Sequence, residues 1–82
     1  MEITLSGAAR AEIFDGLYSQ LGIPPGGRSL DAVWDTLSSL PGKCTVRLTR
    51  GCGAAEAPHW RERLCRLLRD AEREGYIELT IN

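Results

Sequence analysis

Three short segments of this 82-residue chain alternate polar and apolar side chains, and the stretches between them repeat apolar side chains every three or four positions. The first pattern predicts strands at residues 2–5, 44–49 and 76–81, and the second predicts helices at about residues 8–21, 30–40 and 58–74. Strands that are separated by helices favour a parallel sheet with right-handed crossovers. We therefore predict an α/β fold of order β-α-α-β-α-β, a two-layer sandwich of a three-stranded parallel sheet and about three helices.

The length and charge of the chain restrict the number of domains and the class of protein. Eighty-two residues fit one domain with a small core, so residues 1–82 are expected to form a single unit. The net charge of -1 argues against a generic polyanion binder. No stretch approaches the ~20 apolar residues of a membrane span. The first residues, MEITL, lack the basic start and apolar core of a secretory peptide, so we expect a cytoplasmic protein that does not contact a membrane.

The three cysteines are expected to be reduced thiols, because their number is odd and no signal sequence is recognised. Cys44, Cys52, His59 and Cys65 do not have the spacing of a common zinc site, so neither a metal nor a cofactor is expected. A Cys–His nucleophile would need an oxyanion site that nothing in the sequence supports, so we expect neither catalytic residues nor an enzyme. Cys44 and Cys65 are predicted to be buried. Cys52, in a glycine-flanked loop, is predicted to be the most reactive thiol.

The second predicted helix carries a distinctive arrangement of charge. Ser29 is a suitable N-cap, and an apolar stripe follows it. At ~100° per residue, Asp31 and Asp35 fall together on the exposed side, and Trp34 falls at the border of the stripe. One interpretation is an ordinary solvated face. The other is an acidic ridge, formed by Asp31 and Asp35, that receives the arginine and lysine side chains of a partner.

Two blocks of the sequence resemble the barstar family of intracellular ribonuclease inhibitors. The run 29–37, SLDAVWDTL, looks like the family's signature helix, in which a polar N-cap precedes Leu-Asp-Ala-Leu-Trp-Asp. The run 70–81, DAEREGYIELTI, is similar to the family's last helix and strand. The predicted element order agrees with the family's three-stranded parallel sheet. The resemblance implies a barstar-like fold and a protein that inhibits a barnase-like ribonuclease.

The resemblance also implies roles for individual residues. In the family, two aspartates of the signature helix pair with the cationic active-site residues that normally hold RNA phosphate, and Asp31 and Asp35 match them. Asp35 is expected at the centre of the contact. The other matching partner-binding positions are Gly27, Trp34, Ser38 and Asp70. Arg28 replaces a loop glutamate and is expected to place a positive charge beside the acidic ridge. The implied mechanism is phosphate mimicry, which blocks the enzyme without performing chemistry.

The third predicted helix supports an alternative function. It carries five arginines, which are Arg61, Arg63, Arg66, Arg69 and Arg73. Arginines can follow nucleic-acid phosphates, so the alternative is a nucleic-acid-binding or regulatory interaction module. However, the i, i+4 pairs Glu62–Arg66 and Arg66–Asp70 are typical of a solvated face. Direct binding of nucleic acid is therefore not expected, and the arginines are expected to lie elsewhere on this helix, apart from the acidic ridge.

Overall fold

A computed structural model describes residues 1–82 and confirms the predicted α/β fold and element order. The elements are β1 (Glu2–Leu5), α1 (Arg10–Leu21), α2 (Leu30–Ser38), β2 (Cys44–Leu48), α3 (Trp60–Arg73) and β3 (Ile77–Ile81). The three strands form one parallel sheet of order β1-β2-β3, so β2 is central and β1 and β3 are edges. None of the three helices combines the length and the apolar character that crossing a bilayer requires.

One face of the sheet forms the floor of the core. Ile3 pairs in register with Val46, and Val46 pairs with Leu79, so the alternation of side chains places these three residues on the same face. That face is covered by helices: α1 packs against β1, α3 packs against β3, and α2 packs against α3. The opposite face of the sheet is polar and carries exposed charged residues such as Arg47 and Glu78. The chain is therefore built from two layers around one core of 17 hydrophobic residues.

Strand β3 is less buried than its alternating pattern predicts. The sequence predicts that Ile77, Leu79 and Ile81 all point inward, but only Ile77 is fully buried. Leu79 is half-buried, and Ile81 is 38% exposed. The reason is that β3 is an edge strand whose outer side faces long polar side chains of α3. Leu79 and Ile81 line an open groove there, together with Arg69, Glu72 and Arg73.

Side chains from the helices satisfy backbone groups on both edge strands. The Gln20 side-chain amide of α1 accepts a hydrogen bond from the Thr4 N–H (2.8 Å) and donates one to the Thr4 carbonyl (2.7 Å). Glu72 of α3 accepts a hydrogen bond from the Leu79 N–H at 2.9 Å. An unpaired edge strand is a template for pairing with another chain. These contacts reduce the number of backbone groups that either edge offers for such pairing.

We predict that truncating Ile77 destabilises the protein far more than truncating Ile81, although both occupy apolar positions in the alternating pattern of β3. Ile77→Ala removes fully buried methyl groups and leaves a cavity, so the free energy of unfolding should fall by about 2–5 kcal/mol. Ile81→Ala removes a side chain that already contacts solvent, so its cost should stay below about 1 kcal/mol. Urea denaturation of both variants checks this, and equal losses would contradict the partial exposure of Ile81.

Candidate functional site

Local side-chain hydrogen bonds define both ends of α2. Ser29 is the predicted N-cap, and its hydroxyl accepts a hydrogen bond from the Ala32 N–H at 3.3 Å. At the other end, the Ser38 and Ser39 hydroxyls donate to the Asp35 carbonyl at 3.2 and 2.7 Å. The Ser39 N–H bonds to the Thr36 carbonyl instead of continuing the α-helical ladder. The helix therefore ends at Ser38, two residues before the predicted end.

The acidic ridge is exposed and has no internal partner. Asp31 lies in the first turn of α2, where its charge is favourable to the helix dipole, and Asp35 lies one turn further along. Neither carboxylate forms an ion pair within 4.0 Å or a hydrogen bond with another side chain. By contrast, Asp15 is paired with Arg28 and Glu56 with Arg10. The oxygen atoms of the ridge are thus free to accept hydrogen bonds from outside the chain.

Trp34 lies at the border between the buried and exposed sides of α2, as the helical wheel predicts. It is half-buried, and its ring meets the Tyr76 ring edge to face, with centroids 5.8 Å apart and an angle of 77° between the planes. Aromatic pairs of this geometry attract each other beyond the area that they bury. Tyr76 lies just before β3, so the end of the chain helps to fix the position of Trp34 next to the ridge.

A groove between α2 and α3 brings together three of the predicted site residues. This α2–α3 groove has a volume of about 410 Å³. It is lined by Leu30, Asp31 and Trp34 from α2 and by Arg63, Arg66, Leu67 and Asp70 from α3. Asp31, Trp34 and Asp70 therefore share one surface depression. Asp35, Ser38 and Gly27 do not line it.

Gly27 and Ser38 have roles within the chain itself. The Gly27 carbonyl accepts a hydrogen bond from the Tyr18 hydroxyl at 2.6 Å, which ties the loop before α2 to α1. A Cβ atom at Gly27 would approach the Ala32 Cβ to 3.2 Å, so a side chain there would crowd the first turn of α2. The Ser38 hydroxyl donates a hydrogen bond to the Asp35 carbonyl. Both residues therefore help to position α2.

Arg28, which the sequence predicts to place a positive charge beside the acidic ridge, has an ion-pair partner within the chain. Its Nη2 atom lies 3.0 Å from the Asp15 Oδ1 atom on α1. The charge of Arg28 is thus compensated by α1, because the loop before α2 folds back onto that helix.

Two arginines of α3 are closer to the acidic ridge than the sequence predicts. Arg63 and Arg66 line the α2–α3 groove together with Asp31, which corrects the expectation that the arginines lie apart from the ridge. Their positions could have been found from the pattern, since residues 63, 66, 67 and 70 repeat at i, i+3, i+4 and i+7 along one side of α3. The pattern does not show that this side of α3 faces α2.

The predicted i, i+4 ion pairs of α3 do not form. Neither Glu62–Arg66 nor Arg66–Asp70 is within 4.0 Å, and both carboxylates have nearer partners three residues away. Glu62 lies 3.3 Å from His59, and Asp70 lies 3.4 Å from Arg73. Arg66 is consequently left without a carboxylate partner.

Two of the three cysteines differ from expectation, whereas Cys44 is buried as predicted. Cys52, predicted to be the most reactive thiol, is completely buried, and Cys65, predicted to be buried, is partly exposed. Burial raises the pKa of the Cys52 thiol to about 11, and the nearby Arg61 charge opposes this only in part. Arg61 also donates to the Thr49 and Cys52 carbonyls at 2.9 and 2.8 Å, which holds the Cys52 turn against α3. Burial likewise raises the pKa of Cys44.

Histidine, cysteine and acidic side chains do not converge in groups of three or more that could hold a metal ion. Comparison with protein-family models gives no match, and comparison with curated proteins gives no significant match.

We predict that alkylation of the native protein at pH 8 modifies Cys65 first. Cys52 is both inaccessible and protonated at this pH, because its pKa of about 11 leaves very little thiolate. Iodoacetamide labelling followed by peptide mass spectrometry measures the three rates. In urea the rates should become similar. Native labelling of Cys52 as fast as that of Cys65 would contradict the buried position of the Cys52 turn.

Proposed function

We propose that this protein inhibits a barnase-like ribonuclease by inserting its acidic ridge into the cationic site where the enzyme holds RNA phosphate. The observation that carries the proposal is the state of Asp31 and Asp35. Both carboxylates are exposed, lie one turn apart on the same helix, and have no internal partner. Arginine and lysine side chains of an enzyme could bind them without first breaking an ion pair within the inhibitor.

The rigidity of α2 supports this mechanism. Its start is capped by Ser29, its end is closed by the two serine hydroxyls, and Val33 and Leu37 anchor it in the core. Carboxylates on a rigid helix lose little conformational entropy when they bind, so more of the electrostatic attraction contributes to affinity. Trp34, held by Tyr76, offers aromatic surface beside the charges, as is common at the centre of protein interfaces.

The resemblance to the barstar family supports the same function. It rests on the blocks 29–37 and 70–81, and the three-stranded parallel sheet with three helices agrees with the fold that the resemblance implies. In this proposal the protein occupies the active site and performs no chemistry of its own. Asp35 is the central contact, Asp31 and Trp34 flank it, and Asp70 contributes from α3.

We predict that Asp35→Ala greatly weakens inhibition of barnase. Removing one partner of a desolvated interfacial charge pair leaves the enzyme's cation unpaired, which costs about 2–5 kcal/mol of binding free energy. Inhibition constants from a fluorogenic RNA-cleavage assay measure the effect. The matched control is Glu78→Ala, which removes an exposed carboxylate from the open face of the sheet and should leave inhibition unchanged.

Asp70→Ala should weaken inhibition less than Asp35→Ala does. The Asp70 carboxylate is half-exposed and already lies near Arg73, so a partner gains less from it, about 1 kcal/mol or less. The same assay measures this difference. A larger loss for Asp70→Ala than for Asp35→Ala would move the centre of the contact from α2 to α3.

A failure of the wild-type protein to inhibit at micromolar concentration would contradict the proposal. If the protein instead retarded labelled RNA in a gel, the alternative of a nucleic-acid-binding module would be favoured. The observation behind that alternative is that Arg66 and Arg69 have no carboxylate within 4.0 Å. Retardation that is lost in Arg66→Glu and Arg69→Glu, and that decreases steeply with salt, would identify it.

A further inference from the structure

Two arginines without an ion-pair partner line the α2–α3 groove. Arg63 and Arg66 are exposed and line the groove with Asp31, Trp34 and Asp70. Neither guanidinium forms an ion pair or a hydrogen bond within the chain. The surface next to the acidic ridge is therefore mixed in charge, with cations and anions from two different helices.

Most other arginines of the chain are engaged. Contacts within the chain are made by Arg10 with Glu56, Arg28 with Asp15, Arg47 with Glu2, Arg61 with two backbone carbonyls, and Arg73 with Asp70. The four arginines that lack such contacts are Arg50, Arg63, Arg66 and Arg69. Two of these four, Arg63 and Arg66, line the groove beside Asp31.

The mixed charge restricts which partner surface fits. A partner that presented only cations would place some of them against Asp31 and Asp35 and others against Arg63 and Arg66. Like charges brought together at an interface are repelled and desolvated without compensation, which selects against such a partner. A partner with a carboxylate opposite the two arginines would gain charge-assisted hydrogen bonds there instead. Leu30, Leu67 and Trp34 supply apolar contact between the charges.

We infer that Arg63 and Arg66 determine partner specificity: the enzyme that this protein binds carries a carboxylate beside the cations that receive Asp31 and Asp35. The inference rests on the proposed function and adds the charge pattern of the target surface. It distinguishes this chain from an inhibitor with an entirely acidic binding face, which would favour a uniformly cationic target.

A selection experiment tests the inference. Catalytically inactive barnase, randomised at surface positions that border its active site, is displayed on yeast and sorted against three baits. The baits are the wild type, the groove variant R63E/R66E, and the control R47E/R50E. The control makes the same change in net charge with exposed arginines that do not line the groove. Long-range electrostatics are therefore matched, and only the local charge of the groove differs.

The expected result is that the wild type and R47E/R50E enrich clones with new aspartate or glutamate residues, whereas R63E/R66E enriches clones with new lysine or arginine residues. Clones selected by the wild type should bind R63E/R66E about tenfold more weakly or worse, as expected for the loss of an interfacial charge pair. The same residue composition with all three baits would overturn the inference.

A fourth bait, D35A, separates this inference from the proposed function. If D35A enriches the same clones as the wild type, the acidic ridge is not the central contact and the proposed function fails, while a preference for carboxylates opposite the arginines stands. If D35A enriches nothing and the compositions do not differ between wild type and R63E/R66E, the proposed function stands and the inference fails. No enrichment with any bait would overturn both.

Discussion

The packing of α3 against the sheet is the interaction on which the rest of the structure depends. Its buried stripe, formed by Trp60, Leu64, Leu68 and Ala71, covers the same face of the sheet as α1. Because α2 packs mainly against α3, the position of the acidic ridge is set by α3 and not by the strands alone. In a core this small, displacement of α3 would move the ridge with it.

The same helix gives the candidate site its mixed electrostatic character. α3 packs against α2 and also contributes Arg63, Arg66 and Asp70 to the α2–α3 groove. The net charge of -1 hides this arrangement, since it averages over surfaces with different local charge. A nearly neutral chain provides weak long-range steering of a charged partner. In the proposed complex, short-range complementarity in the groove would then have a correspondingly larger part in choosing the partner.

The fold was largely predictable, and so was the side of α2 that faces solvent, because both depend on local patterns. Alternation identified the three strands, and Ser29 with the stripe after it identified α2 and the exposure of Asp31 and Asp35. The ends of elements were less predictable. The end of α2 depends on which donors the Asp35 carbonyl accepts, and two nearby serine hydroxyls compete with the backbone for it.

By itself, the sequence determined the order of the elements and the side of α2 on which the aspartates lie, since these follow from spacings of two to four residues. It also determined the parallel sheet, because helices separate the strands along the chain. Only the tertiary structure decided that Cys52 is buried, that Arg28 pairs with Asp15, and that the α3 arginines share a groove with Asp31. The physical reason is that each of these outcomes depends on how distant elements dock. Side-chain spacing within one element shows which residues share a face, but not what that face meets.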